Sequence, residues 1–192
     1  MIISEKGLVR AIKSAWKAGG YRVADLSGGA VIWTSDWCVR CGWHSLPRKV
    51  LGLIVEHAGI IPERDHALAL IKNMDPQWIL KESVADELAA WWTPQGKPGK
   101  AVLVPVNIAG YQLYQTPARE CYAVDPAVLV IVDRGTAEDG AFSMDSSGRA
   151  VVTEEDRQIC LMMKRPSMGW GQRWMGDVWS ALESVDLRHH EE

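Results

Sequence analysis

The feature that most constrains this chain is a change of texture halfway along it. Residues 93–100 read Thr-Pro-Gln-Gly-Lys-Pro-Gly-Lys, a polar run of residues that break both helices and strands. Before it, apolar residues recur at three- and four-residue steps; after it, they alternate or gather in short branched runs. Helices concentrated in one half and strands in the other point to an α+β protein, not to the regular alternation of a parallel α/β sheet. The expected architecture is an N-terminal helix-hairpin-helix region followed by a mostly antiparallel sheet with C-terminal helices. Its halves are residues 1–92 and 101–192, either as two units or as one continuous domain linked by the loop at 93–100.

Residues 5–18 place Leu8, Val9, Ile12, Ala15 and Trp16 on one helical face, and Gly19-Gly20 offers a stop. Ser27-Gly28-Gly29 between two apolar runs predicts a hairpin over residues 21–35. The odd positions Val31, Trp33, Trp37, Val39, Cys41 and Trp43 predict a strand with one tryptophan-lined face. Pro47 opens a helix carrying Val50, Leu51, Ile54, Val55 and Ala58 as far as Gly59. A short helix is expected from Pro62 towards Asn73, and a longer one from Asp75-Pro76 carrying Leu80, Val84, Leu88, Trp91 and Trp92. Beyond the loop, strands are expected over 101–108, 111–116, 120–124 and 127–132, the last as a doubly covered strand. A hairpin over 141–152, a short helix capped within 153–156 and a helix over 174–185 complete the reading, with no internal repeat.

Composition bounds the function. Of 192 residues, 47% are hydrophobic and 23% charged, which is enough apolar material for a real core. No run reaches the roughly 18 apolar residues that a membrane span needs, and Glu5, Lys6, Arg10, Lys13 and Lys17 interrupt what would be a signal peptide. Four cysteines in such a chain do not make a secreted disulfide framework, so a cytoplasmic protein is expected. A net charge of −3 argues against direct binding of nucleic acid. Ten Trp against one Phe and four Tyr is the oddest balance, since indoles serve cores and binding hot spots alike.

Three constellations compete for chemistry. Cys38-x-x-Cys41 with His44 or His57 has the spacing of half a zinc site, though a second tight ligand pair is missing and residues three apart on a strand face opposite ways. The same Trp37-Cys38-x-x-Cys41 stretch resembles the redox motif of thioredoxin-like proteins, but the next helix begins too late to activate Cys38. Glu56-His57, Asp65-His66, Asp86-Glu87 and Asp133 are loose acid-base parts without diagnostic spacing. Near the C-terminus, Met162, Met163, Arg165, Met168, Trp170, Arg173 and Trp174 combine the residue types enriched in protein interfaces. Of these, Arg165, Trp170, Arg173 and Trp174 are the candidate partner contacts.

Residues 46–59, Leu-Pro-Arg-Lys-Val-Leu-Gly-Leu-Ile-Val-Glu-His-Ala-Gly, together with the preceding helix and hairpin, resemble uncharacterised small accessory proteins of phages and conjugative elements. The resemblance implies a protein that acts on host or competitor machinery, for example an inhibitor of a defence system such as an anti-CRISPR, and carries over no functional residue. The sequence expectation is therefore a non-enzymatic accessory protein that binds another protein or a ribonucleoprotein and needs no cofactor. Its alternative is a zinc-supported or thiol-dependent module at Cys38 and Cys41.

Overall fold

The computed structural model describes residues 2–79, 81–93, 95, 99–138, 142–164 and 173–187. Helix Glu5–Ala18 (α1) leads into strands Tyr21–Leu26 (β1), Gly29–Trp33 (β2) and Trp37–Gly42 (β3), helix Arg48–Ala58 (α2), strands Ala67–Leu70 (β4) and Gln77–Ile79 (β5), and helix Lys81–Trp92 (α3). The second half runs through strands Gly99–Ile108 (β6), Tyr111–Gln115 (β7) and Cys121–Val124 (β8), and short helices Pro126–Leu129 (α4) and Arg134–Glu138 (α5). Strands Phe142–Met144 (β9), Arg149–Glu154 (β10) and Arg157–Met162 (β11) follow, then helix Arg173–Ser184 (α6).

Local chemistry sets these boundaries. Ser4 caps α1 by accepting from the Gly7 amide, and Gly59 closes α2 in the left-handed conformation at φ 70°. Ser27 (φ 54°) and Gly28 (φ 82°) form the two-residue turn between β1 and β2, where positive φ at both positions matches the strand twist.

All eleven strands join one sheet in the order β5-β4-β1-β2-β3-β11-β10-β9-β6-β7-β8, with antiparallel pairing throughout. The β3–β11 pairing carries the sheet across both halves of the chain. Helices α1 and α2 cover one face, burying Leu8, Ile12, Leu53 and Ile54 against Val23, Ile32, Val39, Leu68 and Ile159. On the opposite face, α3 packs Val84, Leu88 and Trp91 over Trp33, Cys38 and Cys160, while α6 packs Trp179 over Val104, Leu113 and Ala123. No helix among the described residues is long and apolar enough to cross a membrane.

The topology is duplicated although the sequence is not. Each half forms a three-stranded meander, crosses over through helix, returns with a strand that pairs with the meander's first strand, and ends in a helix on the opposite face. Thus β4 pairs with β1, and β9 pairs with β6.

Several expectations are corrected. The N-terminal region is a helix followed by a three-stranded meander, so the helix-hairpin-helix description fails: β3 continues the expected hairpin. The expected helix over 62–73 contains β4 instead, and the helix expected from Asp75 begins at Lys81 because β5 intervenes. Residues 127–132 do not form a strand. Asp125 accepts from the Ala127 amide at 2.7 Å and Pro126 occupies the first turn, and these two signals start α4. The acidic run at 153–156 does not cap a helix; Glu155, at φ 53°, turns the β10–β11 hairpin.

Candidate contact surface

The cysteine pair does not converge. Cys38 belongs to the α3 face of β3 and Cys41 to the α1–α2 face, because three residues along a strand reverse the side-chain direction. Cys38 instead lies across from Cys160 of β11, on the same face. All four cysteines are buried and reduced. Burial is the main reason that the Cys38 thiol is pushed well up and that Cys41 and Cys160 are pushed up to about 12, with Cys160 adding to the effect at Cys38 and Asp156 at Cys41. Thiols so placed hold little thiolate at neutral pH and are poor nucleophiles.

The two histidines offered as further ligands go separate ways. His44 is exposed, with Nε2 3.7 Å from Asp156 Oδ2. The same Asp156 oxygen accepts from the Gly42 amide (3.0 Å) and from Ser45 Oγ (2.7 Å), so this carboxylate ties the β10–β11 turn to the end of β3. A side chain at Gly42 would meet the His44 ring and that carboxylate within 3 Å. His57 stacks on Trp16 (ring centroids 4.1 Å apart, 7° between planes), and its Nδ1 is 3.0 Å from the Tyr21 hydroxyl. Burial lowers its pKa, Glu56 opposes that and Lys13 assists it. Among the described residues, no group of three or more His, Cys, Asp or Glu side chains comes together as a metal would require.

Of the expected partner contacts, Arg165 and Trp170 lie outside the described residues. Arg173 and Trp174 open α6.

A surface absent from the sequence expectation stands out at the β5 end of the sheet. Among the described residues, the large hydrophobic side chains more than two-fifths exposed are Val55, Ile60, Ile61, Met74, Trp78 and Val185; Val55 lies on α2, Ile60 and Ile61 on the connection to β4, Met74 on the β4–β5 connection and Trp78 on β5. Trp78, the most exposed of them at 54%, meets the His66 ring edge-on at 5.5 Å. Beside it opens a groove of about 890 Å³ floored by the Trp16–His57 stack and walled by Met74 and Pro76. Exposed apolar side chains of this size beside a groove with polar groups on its rim mark contact sites.

The two ends of the sheet are finished differently. At β8, Ala123 exchanges two 2.8 Å backbone hydrogen bonds with Lys164, and the Cys121 amide donates to Glu183, so the outward groups are covered. At the other end, the Asp25 amide donates to the His66 carbonyl, which fixes the phase of the β1–β4 ladder. By alternation Leu68 bonds to β1, while Ala67 and Ala69 bond to Ile79 and Gln77 of β5. That leaves the N–H and C=O of Trp78 pointing outward, with no backbone partner among the described residues. Pattern reading could not find this surface, since it depends on β5 being the sheet's edge. The available signal was an isolated Trp beside Met74 and Pro76 in a polar stretch. No family model, curated protein or solved structure matches the chain.

Proposed function

We propose that the chain is a non-enzymatic protein-binding protein whose contact surface is the β5 end of the sheet. One observation carries this reading: among the described residues, five of the six most exposed large hydrophobic side chains belong to β5 or to the α2–β4–β5 stretch of chain that leads to this end of the sheet. Native proteins protect such edges with charge, bulges or covering elements, and the β5 residues Gln77, Trp78 and Ile79 carry no charge. Trp is also the residue type most often found at the centre of binding hot spots. The accessory or inhibitor role implied by the resemblance at residues 46–59 would use this same surface, because that segment builds α2 and presents Val55. The zinc or thiol alternative gains no support from a strand that turns Cys38 and Cys41 to opposite faces.

Affinity capture from the native host with wild type and an Ile61→Ser/Trp78→Ser variant in parallel tests the reading. Both side chains are about half exposed, so the variant is expected to keep its melting temperature within a few degrees while losing partner recovery at least about tenfold. Equal recovery by both proteins would remove the surface from consideration.

A further inference from the structure

We infer that the β5 end is built to take a second copy of this chain, joined edge to edge by antiparallel pairing of two β5 strands about a two-fold axis at Trp78. This rests on the protein-binding reading of the surface and names its occupant. In an antiparallel pair centred on one residue facing itself, that residue gives its N–H to the other copy's C=O and receives the reverse bond. Trp78 is the one β5 residue that presents both groups outward, so the pairing needs no change of register.

Three features favour a copy of the chain over a foreign segment. The two-fold sets Gln77 across from Ile79, so no charges meet within the paired strands. The exposed rim carries both signs, with Glu56, Glu63 and Asp75 beside Arg64 and Lys72. A ligand of one charge finds no uniform field there, whereas a two-fold mate can set each sign against the other. Finally, α2 is the outermost helix on its face, because α1 on its other side packs so closely on Val130 that a Cβ on Gly7 would overlap the Val130 carbonyl. Joining two sheets at β5 therefore brings the two α2 helices alongside each other, and Gly52, with open space above it, together with exposed Val55 supplies a low surface for their approach. The covered β8 edge lets the assembly close at two copies instead of growing into a fibre.

Sedimentation velocity and light scattering on the full chain across a wide concentration range test the pairing. The expected species has twice the 21.3 kDa chain mass. Trp78→Pro removes an N–H that points away from β4, so it should leave the circular dichroism spectrum unchanged and raise the dimer dissociation constant by about thirtyfold. Trp78→Ala, which keeps both outward backbone groups, should retain more of the dimer than Trp78→Pro, a difference that loss of the side chain alone could not produce. A wild type that stays monomeric at every concentration overturns the pairing, as does a dimer indifferent to all of these changes. If that monomer still loses partner capture through Ile61→Ser/Trp78→Ser, the pairing alone fails and the protein-binding reading stands.

Discussion

His57 shows how a residue that pattern reading offers as a metal ligand becomes a structural joint. Its ring lies flat on Trp16 of α1 while its Nδ1 meets the Tyr21 hydroxyl at the start of β1, so one side chain of α2 holds two other elements. Partial burial lowers its pKa below the usual 6.5, and the neighbouring charges, Glu56 and Lys13, act in opposite senses. The unfolded chain therefore takes up the proton first on acidification. The contribution of neutral His57 is complete above pH 6.5 and is lost as the pH falls through and below that value. Thermal melts at pH 7.5 and pH 5 should show a larger loss in wild type than in His57→Gln, which keeps an amide for Tyr21 but cannot be protonated. Equal losses would mean that His57 does not titrate with folding. The cysteines teach a related lesson. The alternation at Trp37, Val39 and Cys41 was legible and correctly set Cys38 on the other face of the strand. Trp33 was assigned to the wrong face, because the β2–β3 register pairs it with Cys38 and the intervening turn exchanges odd and even positions.

At the scale of elements, α1, α2, α6 and strands β6 to β8 were readable because each shows a clear period, and a glycine ends α1 at Gly19, ends α2 at Gly59 and turns the chain between β6 and β7 at Gly110. Strands β4 and β5 were not. Ala67 packs on the α3 face and Leu68 on the α2 face, so Ala-Leu-Ala-Leu is covered on both sides and shows no period that separates strand from helix. Residues 127–132 failed for the converse reason: branched residues favour strands, yet Asp125 and Pro126 just upstream decide the local structure. The most consequential element-level device, the attachment of α6, rests on one fully buried side chain, Gln115. Its amide donates to the carbonyls of Leu182 and Val185, and its oxygen accepts from the Leu187 amide at 2.8 Å. Gln115→Leu preserves the volume but leaves those backbone groups unpaired, an expected cost of roughly 1–3 kcal/mol in urea unfolding, with proteolysis beginning near residue 185. A variant as stable as wild type would show that α6 is held by Trp179 packing alone.

At the scale of the molecule, a chain whose sequence suggests two textures folds around one sheet, and the seam between the halves lies within it. The seam is the β3–β11 ladder, where Trp37, Cys38 and Val39 lie across from Leu161, Cys160 and Ile159, and all six are buried. No sequence feature announces this pairing, because its partners stand more than a hundred residues apart and each strand alone reads as an ordinary alternating run. The duplicated topology was equally hidden, since it resides in strand order and crossover rather than in any recurring residue. A seam so thoroughly desolvated should make the halves unfold together. Ile159, fully buried against α1–α2 face residues contributed by the other half, is the sharpest probe. Ile159→Ala should cost about 2–5 kcal/mol. In hydrogen exchange, that loss should appear at the amides of β2 and β1, two and three strands away in the first half, as fully as at those of β10 beside it. If protection fell only in β9 to β11, the two halves would be separate cooperative units that merely share a sheet.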